Sequence, residues 1–246
     1  MKNKKIALIT GGSKRIGACI SRELHLSGID VMIHYMSSKE EASSLKAELN
    51  KKRKGSADIV QGNLCEIDSY ERIISDVIKK FGQLDYLINN ASSYFPSPIG
   101  ELNENNWNDL ISPNLKAPLF LSQAAAKYLR KQKGSIVNIS DANEGNPKKD
   151  YVIYNIAKSG LLSLTRSLAK DLSPDVRVNA VAPGAILWPD NDQESEQGYR
   201  DNLISQTFLK KQGTPIDIAK AVSFLLTSAL YSTGEVIHVD GGKLHK

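Results

Sequence analysis

The sequence predicts an α/β fold: a doubly wound parallel sheet covered by helices on both faces, built as a single domain over residues 1–246. Three observations predict it. Short apolar runs alternate with amphipathic stretches along the whole chain, and strands that are apolar throughout belong to a sheet buried on both sides. A glycine-rich turn joins the first apolar run to the first helical stretch, the joint at which such sheets hold phosphate groups. The 246 residues contain no linker, repeat or low-complexity segment, and that length fits one large α/β unit better than two average domains.

The apolar runs place strands at 5–10, 31–35, 58–61, 86–89, 135–140, 177–181 and 235–239. Between them a helical period places helices at 16–26, 39–52, 68–81, 105–130, 151–172 and 216–228. The stretch 105–130 reads as one helix or as two. Pro215 suits the first position of the last helix, with Thr214 as its cap. Residues 183–215 break the rhythm, being polar and acidic (Asp190, Asp192, Glu194, Glu196) without a strong period. A segment this long after a strand's C-terminal end reads as a substrate lid around 184–214. The competing reading is a plain surface excursion.

Composition narrows the class. With 41% hydrophobic and 24% charged residues, the chain reads as an ordinary soluble domain. No apolar run reaches the roughly 18 residues of a membrane span, and the apolar part of the N-terminus is too short for a signal peptide. Cys19 and Cys65 lack partners at metal-ligand spacing, so neither a metal site nor a disulfide framework is expected, and a cytoplasmic setting follows. The net charge of +5 is spread along the chain, which speaks against a nucleic-acid surface and for an anionic cofactor. The dense run at 51–54 reads as a solvated last helical turn, complementing the helix dipole.

The glycine-rich turn is Thr10-Gly11-Gly12-Ser13-Lys14-Arg15-Ile16-Gly17. Its glycines let the backbone approach a pyrophosphate, and the following helix offers free N–H groups. The second strand ends His34-Tyr35-Met36-Ser37-Ser38, where an NAD site would want a carboxylate for the ribose hydroxyls. Serines stand there instead, and Arg15 sits in the turn beside them. A missing carboxylate and an added cation suit a 2′-phosphate, so NADPH is expected over NADH.

Tyr154 and Lys158 are four apart in a helical stretch and share a face. An ammonium near a phenol favours phenolate and should lower its pKa, making the tyrosine a usable proton donor as hydride arrives. The pattern alone is weak, since Tyr35 and Lys39 repeat it where no chemistry is expected. Context separates the two. Asp141 follows a strand's C-terminal end thirteen residues before Tyr154, and Asn89-Asn90-Ala91 ends another strand at the same rim. Asn114, directly after Pro113, sits at a candidate kink, where its amide could bind backbone or a water behind the lysine.

Taken together these motifs resemble the short-chain dehydrogenase/reductase family over essentially the whole chain. They are the glycine loop, Asn89-Asn90-Ala91, Asn114, Tyr154 with Lys158, Pro183-Gly184 and Val239-Asp240-Gly241-Gly242. The resemblance implies a Rossmann-type domain with a seven-stranded parallel sheet, NADP as cofactor, and a homotetramer. Three departures stand out. Arg15 replaces the loop's middle glycine, Ser92 replaces the glycine after Asn-Asn-Ala, and Asp141 replaces the catalytic serine, with Ser140 one position early. These resemble pteridine reductases and the related dihydromonapterin reductases, as does the segment Ser93-Tyr94-Phe95-Pro96.

The resemblance then implies roles. Asp141, Tyr154, Lys158 and Asn114 would be catalytic. Gly11, Ser13, Lys14, Arg15, Ile16, His34, Tyr35, Ser37, Ser38, Asn63, Leu64, Asn90, Ala91, Ser92, Tyr154, Lys158, Pro183 and Gly184 would hold the cofactor. Asn63 stands where the family often has an aspartate touching the adenine, and would accept through its carbonyl. Arg15, Ser92, Tyr94, Asp141 and Tyr154 would meet a pterin substrate, Tyr94 by stacking on its ring. Other readings stand beside these. Asp141 could cap its loop while Ser140 supplies the hydroxyl, Tyr94 and Phe95 could be packing aromatics, and His34 could be a buried strand residue. The lead expectation is NADPH-dependent reduction of a pterin. The alternatives are reduction of another carbonyl such as a 3-oxoacyl thioester, and a catalytically inactive NADP sensor. No metal, nucleic acid or membrane is expected as a partner. The tail 243–246 could reach a neighbouring subunit's pocket.

Overall fold

A computed structural model describes residues 4–143, 146–187 and 197–243. Seven strands form one all-parallel sheet in the order β3-β2-β1-β4-β5-β6-β7. They are β1 Ile6–Ile9, β2 Asp30–Tyr35, β3 Ala57–Gln61, β4 Tyr86–Asn89, β5 Ser135–Ile139, β6 Arg177–Pro183 and β7 Val236–Val239. Every expected strand is present in one doubly wound sheet.

The pleat splits β1 to β6 between two cores. Ala7 and Ile9 of β1 face one and Ile6 and Leu8 the other. Helices α1 (Arg15–Leu26), α2 (Lys39–Lys52) and α8 (Pro215–Thr227) close the first core. Helices α3 (Asp68–Phe81), α5 (Ala117–Gln132) and α6 (Val152–Asp171) close the second. Leu8, Leu24 and Ile73 have no exposed surface, and each such side chain contributes roughly 1.5–3 kcal/mol over an exposed one.

The stretch 105–130 is two helices. α4 (Glu104–Ile111) runs into a π turn at Ser112–Lys116, and α5 follows. Pro113 has no N–H to continue the ladder, and the wide turn absorbs the break. Thr214 and Asp217 form a reciprocal cap around Pro215 at the start of α8, as the sequence indicates. Between β6 and α8 an unforeseen helix appears, α7 (Gln197–Ser205). Trp188 and the acidic residues Asp190, Asp192, Glu194 and Glu196 lie outside the described residues. After α7, the amides of Phe208 and Leu209 donate to the carbonyls of Gly242 and Gly241 at 3.0 Å each, so the C-terminal segment packs beside this connection.

The basic run at 51–54 needs one correction. Lys51 and Lys52 do form the last turn of α2, but Arg53 turns inward. Its guanidinium donates to Ile29 O at 2.7 Å and pairs at 3.2 Å with buried Asp30. Among the described residues no helix is long and apolar enough to cross a membrane, and no cluster of His, Cys, Asp or Glu could hold a metal.

Candidate active site

Strand order reverses between β1 and β4, and a cavity of about 470 Å³ opens at the C-terminal ends on that side. Arg15, Ile16, Asn90, Ser92, Tyr94, Asp141, Tyr154, Lys158, Pro183 and Gly184 all line it. Ten of the expected site residues, drawn from five separate stretches of chain, therefore meet in one place.

The floor is a tied pair of strand ends. Thr10 Oγ1 accepts from the amides of Asn90 at 2.9 Å and Ala91 at 3.0 Å. Asn90 Nδ2 donates back to Thr10 O at 2.9 Å and Gly11 O at 3.2 Å. A Cβ on Gly17 would fall 2.1 Å from Gly11 O, so only glycine lets the first turn of α1 lie against the loop. The cap residue of α1, Lys14, makes no side-chain cap bond, and its first turn holds no acid. The leading N–H groups of α1 are thus offered to an anion. This cradle fits the pyrophosphate of a dinucleotide.

Arg15 stands at the family's glycine position with φ of 49°. An L residue in the left-handed region costs about 1–2 kcal/mol. Its side chain lines both the cavity and an adjoining groove that holds Ser13 and Lys14. Ser13 Oγ and Ser38 Oγ lie 2.7 Å apart beside this groove, and Ser37 is exposed. Lys14 pairs with exposed Glu41 at 2.6 Å, so it would meet a phosphate only by leaving that carboxylate.

Of four expected cofactor contacts near β2 and β3, the side chains of His34, Tyr35 and Leu64 are buried, and Asn63 keeps an acceptor. His34 is 2% exposed, its Nδ1 accepting from the Gly11 amide at 3.2 Å and its Nε2 donating to Gly62 O at 3.1 Å. Burial pulls the imidazole down to about 4 and keeps it neutral. His34 therefore props the glycine loop from within. Tyr35 is likewise enclosed, and its carbonyl accepts from the Gly62 amide at 3.0 Å. Asn63 Oδ1 already accepts from the Cys65 amide at 3.0 Å and its Nδ2 donates to Glu66 at 2.9 Å, which leaves one lone pair for an adenine amine. Leu64 beside it is buried, its carbonyl taken by Tyr70 Oη at 2.8 Å.

At the chemical end, α6 presents Tyr154 and Lys158 one turn apart, both buried. Tyr154 Oη donates to Asp141 Oδ2 at 2.8 Å. Lys158 Nζ donates to Ile139 O at 3.0 Å and lies 5.6 Å from the Tyr154 ring centre. The expected lowering of the phenol's pKa is reversed. Burial first, then the Asp141 carboxylate, raise Tyr154 well above its ordinary 10. Burial also lowers Lys158 to about 8, with Asp141 opposing.

Asp141 fills both roles open to it. Oδ2 faces Tyr154, while Oδ1 accepts from the amide and the Nδ2 of Asn143, each at 2.7 Å. Ser140 lines the cavity too, and its hydroxyl is buried without a hydrogen-bond partner among the described residues. The register of the aromatics is also settled. Tyr94 lines the cavity, while Phe95 packs against Leu110, Tyr151, Ile153 and Tyr154. Tyr94 stacks on Tyr151 at 4.7 Å and meets the Tyr154 ring edge-on at 4.9 Å, and Lys148 Nζ donates to its hydroxyl at 2.7 Å.

Asn114 differs from its expected place behind the lysine. Its Nδ2 donates to Ser93 O and Leu110 O at 2.8 Å each, and its Oδ1 accepts from Ser92 Oγ at 2.7 Å. It binds backbone, as one reading allowed, but its side chain fastens the π turn to the segment carrying Tyr94. Asn143, Lys148, Asp240 and Lys243 also line the wall. Asp240 had entered only as part of the motif before the C-terminus and Lys243 only as part of a tail, while Asn143 and Lys148 escaped the sequence reading. Lys243 enters this chain's own cavity, its ammonium meeting Asn143 Oδ1; residues 244–246 of the tail lie outside the described residues.

A dinucleotide cradle beside a buried tyrosine–lysine pair defines an oxidoreductase of the short-chain type. The chain belongs to the short-chain dehydrogenase/reductase family. The family model described as enoyl-(acyl carrier protein) reductase matches residues 11–243. The 3-oxoacyl-(acyl-carrier-protein) reductase FabG of Staphylococcus aureus strain Mu50 is 36% identical over 247 residues, 98% of this chain and 99% of the relative. The protein of the same name from Staphylococcus epidermidis strain RP62A is 35% identical over 244 residues, 97% and 98% of the two chains.

Proposed function

We propose that this chain is an NADPH-dependent reductase that adds a proton to the nitrogen of a dihydropterin C=N bond as hydride reaches its carbon. One observation carries this reading: a carboxylate, not a hydroxyl, sits 2.8 Å from Tyr154 Oη. A serine can only orient a carbonyl oxygen, whereas a carboxyl can carry a proton and pass it on. Bound NADPH supplies the hydride. The chain supplies the rest. Asp141 in its protonated form donates to Tyr154 Oη, and the Tyr154 proton moves to the substrate nitrogen. Lys158 faces the same chamber for the nicotinamide ribose. Tyr94 offers a face to a flat ring, and Ser92 and Arg15 border it.

The second reading is reduction of a 3-oxoacyl thioester. The names of the relatives favour it over the pteridine-reductase resemblance, at 36% identity over nearly the full length. The side chain at 141 weighs the other way, because the hydroxyl that would orient a ketone is absent from that position. An inactive sensor is the least supported, since Tyr154, Lys158 and Asp141 converge on the cavity. Cofactor binding with no turnover on any substrate panel would revive it.

The preference for NADPH rests on the serines and Arg15 around the groove after β2. The segment 184–214 remains our candidate lid, since Leu203, Gln206 and Thr207 wall the cavity. A homotetramer in the cytoplasm completes the reading. Exposed Phe224 and Tyr231 at one edge and Ile156 on α6 provide apolar surface for assembly, which light scattering tests as four chains per particle. For the chemistry, Tyr154→Phe should leave NADPH binding intact and cut turnover by ~10²-fold or more. Near-full activity in that variant removes Tyr154 from the reaction.

A further inference from the structure

We propose that Asn143, backed by Lys243, is a positioning residue that holds Asp141 with one oxygen turned to Tyr154. The inference rests on the reading that Asp141 and Tyr154 deliver the proton. A free carboxylate can rotate about its Cβ–Cγ bond and offer either oxygen. Here Oδ1 is occupied twice, by the backbone amide and by the Nδ2 of Asn143, each at 2.7 Å. Only Oδ2 is left to meet Tyr154 Oη at 2.8 Å.

The side-chain amide of Asn143 has its own orientation fixed. Its Nδ2 must face the carboxylate, so its Oδ1 faces away and meets the Lys243 ammonium. A flipped amide would set oxygen against carboxylate and NH₂ against ammonium, two repulsive contacts in place of two attractive ones. Lys243 is itself held in place, because it pairs with Thr207 in an antiparallel bridge. A chain of three polar contacts thus runs from the C-terminal segment to the reacting phenol: Lys243, Asn143, Asp141, Tyr154. The two ends of this chain lie far apart in sequence and meet only through the fold.

The other titratable groups around the carboxylate are Lys158 of α6, Tyr94 after β4, Arg15 of the glycine loop, Lys148 of its own loop and Asp240 beside Lys243. None of these makes a recorded hydrogen bond to Asp141 among the described residues. In the proton-delivery reading Asp141 must regain a proton in each cycle. The pH profile of the reaction reads the pair, because burial and the facing Asp141 carboxylate raise Tyr154.

The test is the pH profile of hydride transfer in single turnover, with NADPH affinity measured in parallel to certify the fold. Asn143→Ala should lower the rate at neutral pH and displace the alkaline limb by roughly one pH unit. Lys243→Met should shift it the same way by less, and Lys243→Arg should restore it. A purely structural role would change the rate or stability and leave the limb in place. An unmoved limb in Asn143→Ala and Lys243→Met, with NADPH binding intact, overturns the inference. Asp141→Asn separates the two levels. A limb abolished in Asp141→Asn yet unmoved in the other two sinks only the positioning role. A limb that survives Asp141→Asn contradicts proton delivery by Asp141 and the positioning role together.

Discussion

His34 lies one residue from the end of β2, with both ring nitrogens engaged and 2% of its surface exposed. Accepting from Gly11 at Nδ1 obliges Nε2 to carry the proton, so the ring is a neutral strut under the glycine loop. Its folded pKa of about 4 lies below the ordinary 6.5. Between those values the unfolded chain binds a proton that the folded chain refuses, so stability falls as pH drops through the window. The loss reaches about 3 kcal/mol once pH is below both values. Thermal melts from pH 7 to pH 4 should show this fall, and His34→Gln should lack that component; an identical profile in both proteins would remove the strut. Arg15 offers a second test at this scale. Arg15→Gly should relieve the left-handed backbone by about 1 kcal/mol, yet weaken NADPH relative to NADH by ~10-fold through loss of a phosphate cation. Denaturant melts and cofactor titrations read the two effects separately. A variant that loses stability, or keeps its NADPH preference, contradicts the functional account of this residue.

The π turn at Ser112–Lys116 shows how an element sets the site. Pro113 breaks the ladder, and the Asn114 amide donates to the Leu110 carbonyl of the preceding turn and also holds Ser92 and Ser93. Asn114→Ala would leave the buried Leu110 carbonyl and the half-buried Ser93 carbonyl without this donor, and should cost about 1–3 kcal/mol. Because the same amide anchors the strand of chain bearing Tyr94, substrate KM should rise more than kcat falls; the reverse pattern would give Asn114 a direct chemical role. The elements themselves were legible. Apolar runs marked all seven strands, and Thr214-Pro215 marked the start of α8. α7 was hidden because its apolar period is weak within a polar stretch. The π turn was legible only as a proline inside a helical period.

At the scale of the whole molecule the sheet order brings β1, β4, β5 and β6 to one rim, and the motifs of the sequence meet there. Tyr154, Lys158 and Asp141 were readable from spacing because each follows a strand or shares a helix face. The direction of the Tyr154 pKa was not, since it depends on burial and on an oxygen 2.8 Å away. The pairing of Lys243 with Asn143 was not readable either, because only closure of the C-terminal segment onto the β5–α6 loop brings them together. Substrate class is where sequence kinship and site chemistry diverge: the relatives are named as 3-oxoacyl-(acyl-carrier-protein) reductases, while this site carries a carboxylate at the serine position. Asp141→Ser tests that divergence, and should depress pterin turnover while sparing the fold; a variant that keeps full pterin activity would take most weight from the carboxylate.

The central claim meets its most direct test in NADPH oxidation by the purified protein, with dihydrobiopterin and dihydromonapterin set against an acetoacetyl thioester. Rapid loss of NADPH absorbance with a pterin and little with the thioester is the predicted result. Thioester turnover without pterin turnover would contradict it, and would make the Asp141 carboxylate a variation within an acyl-thioester reductase.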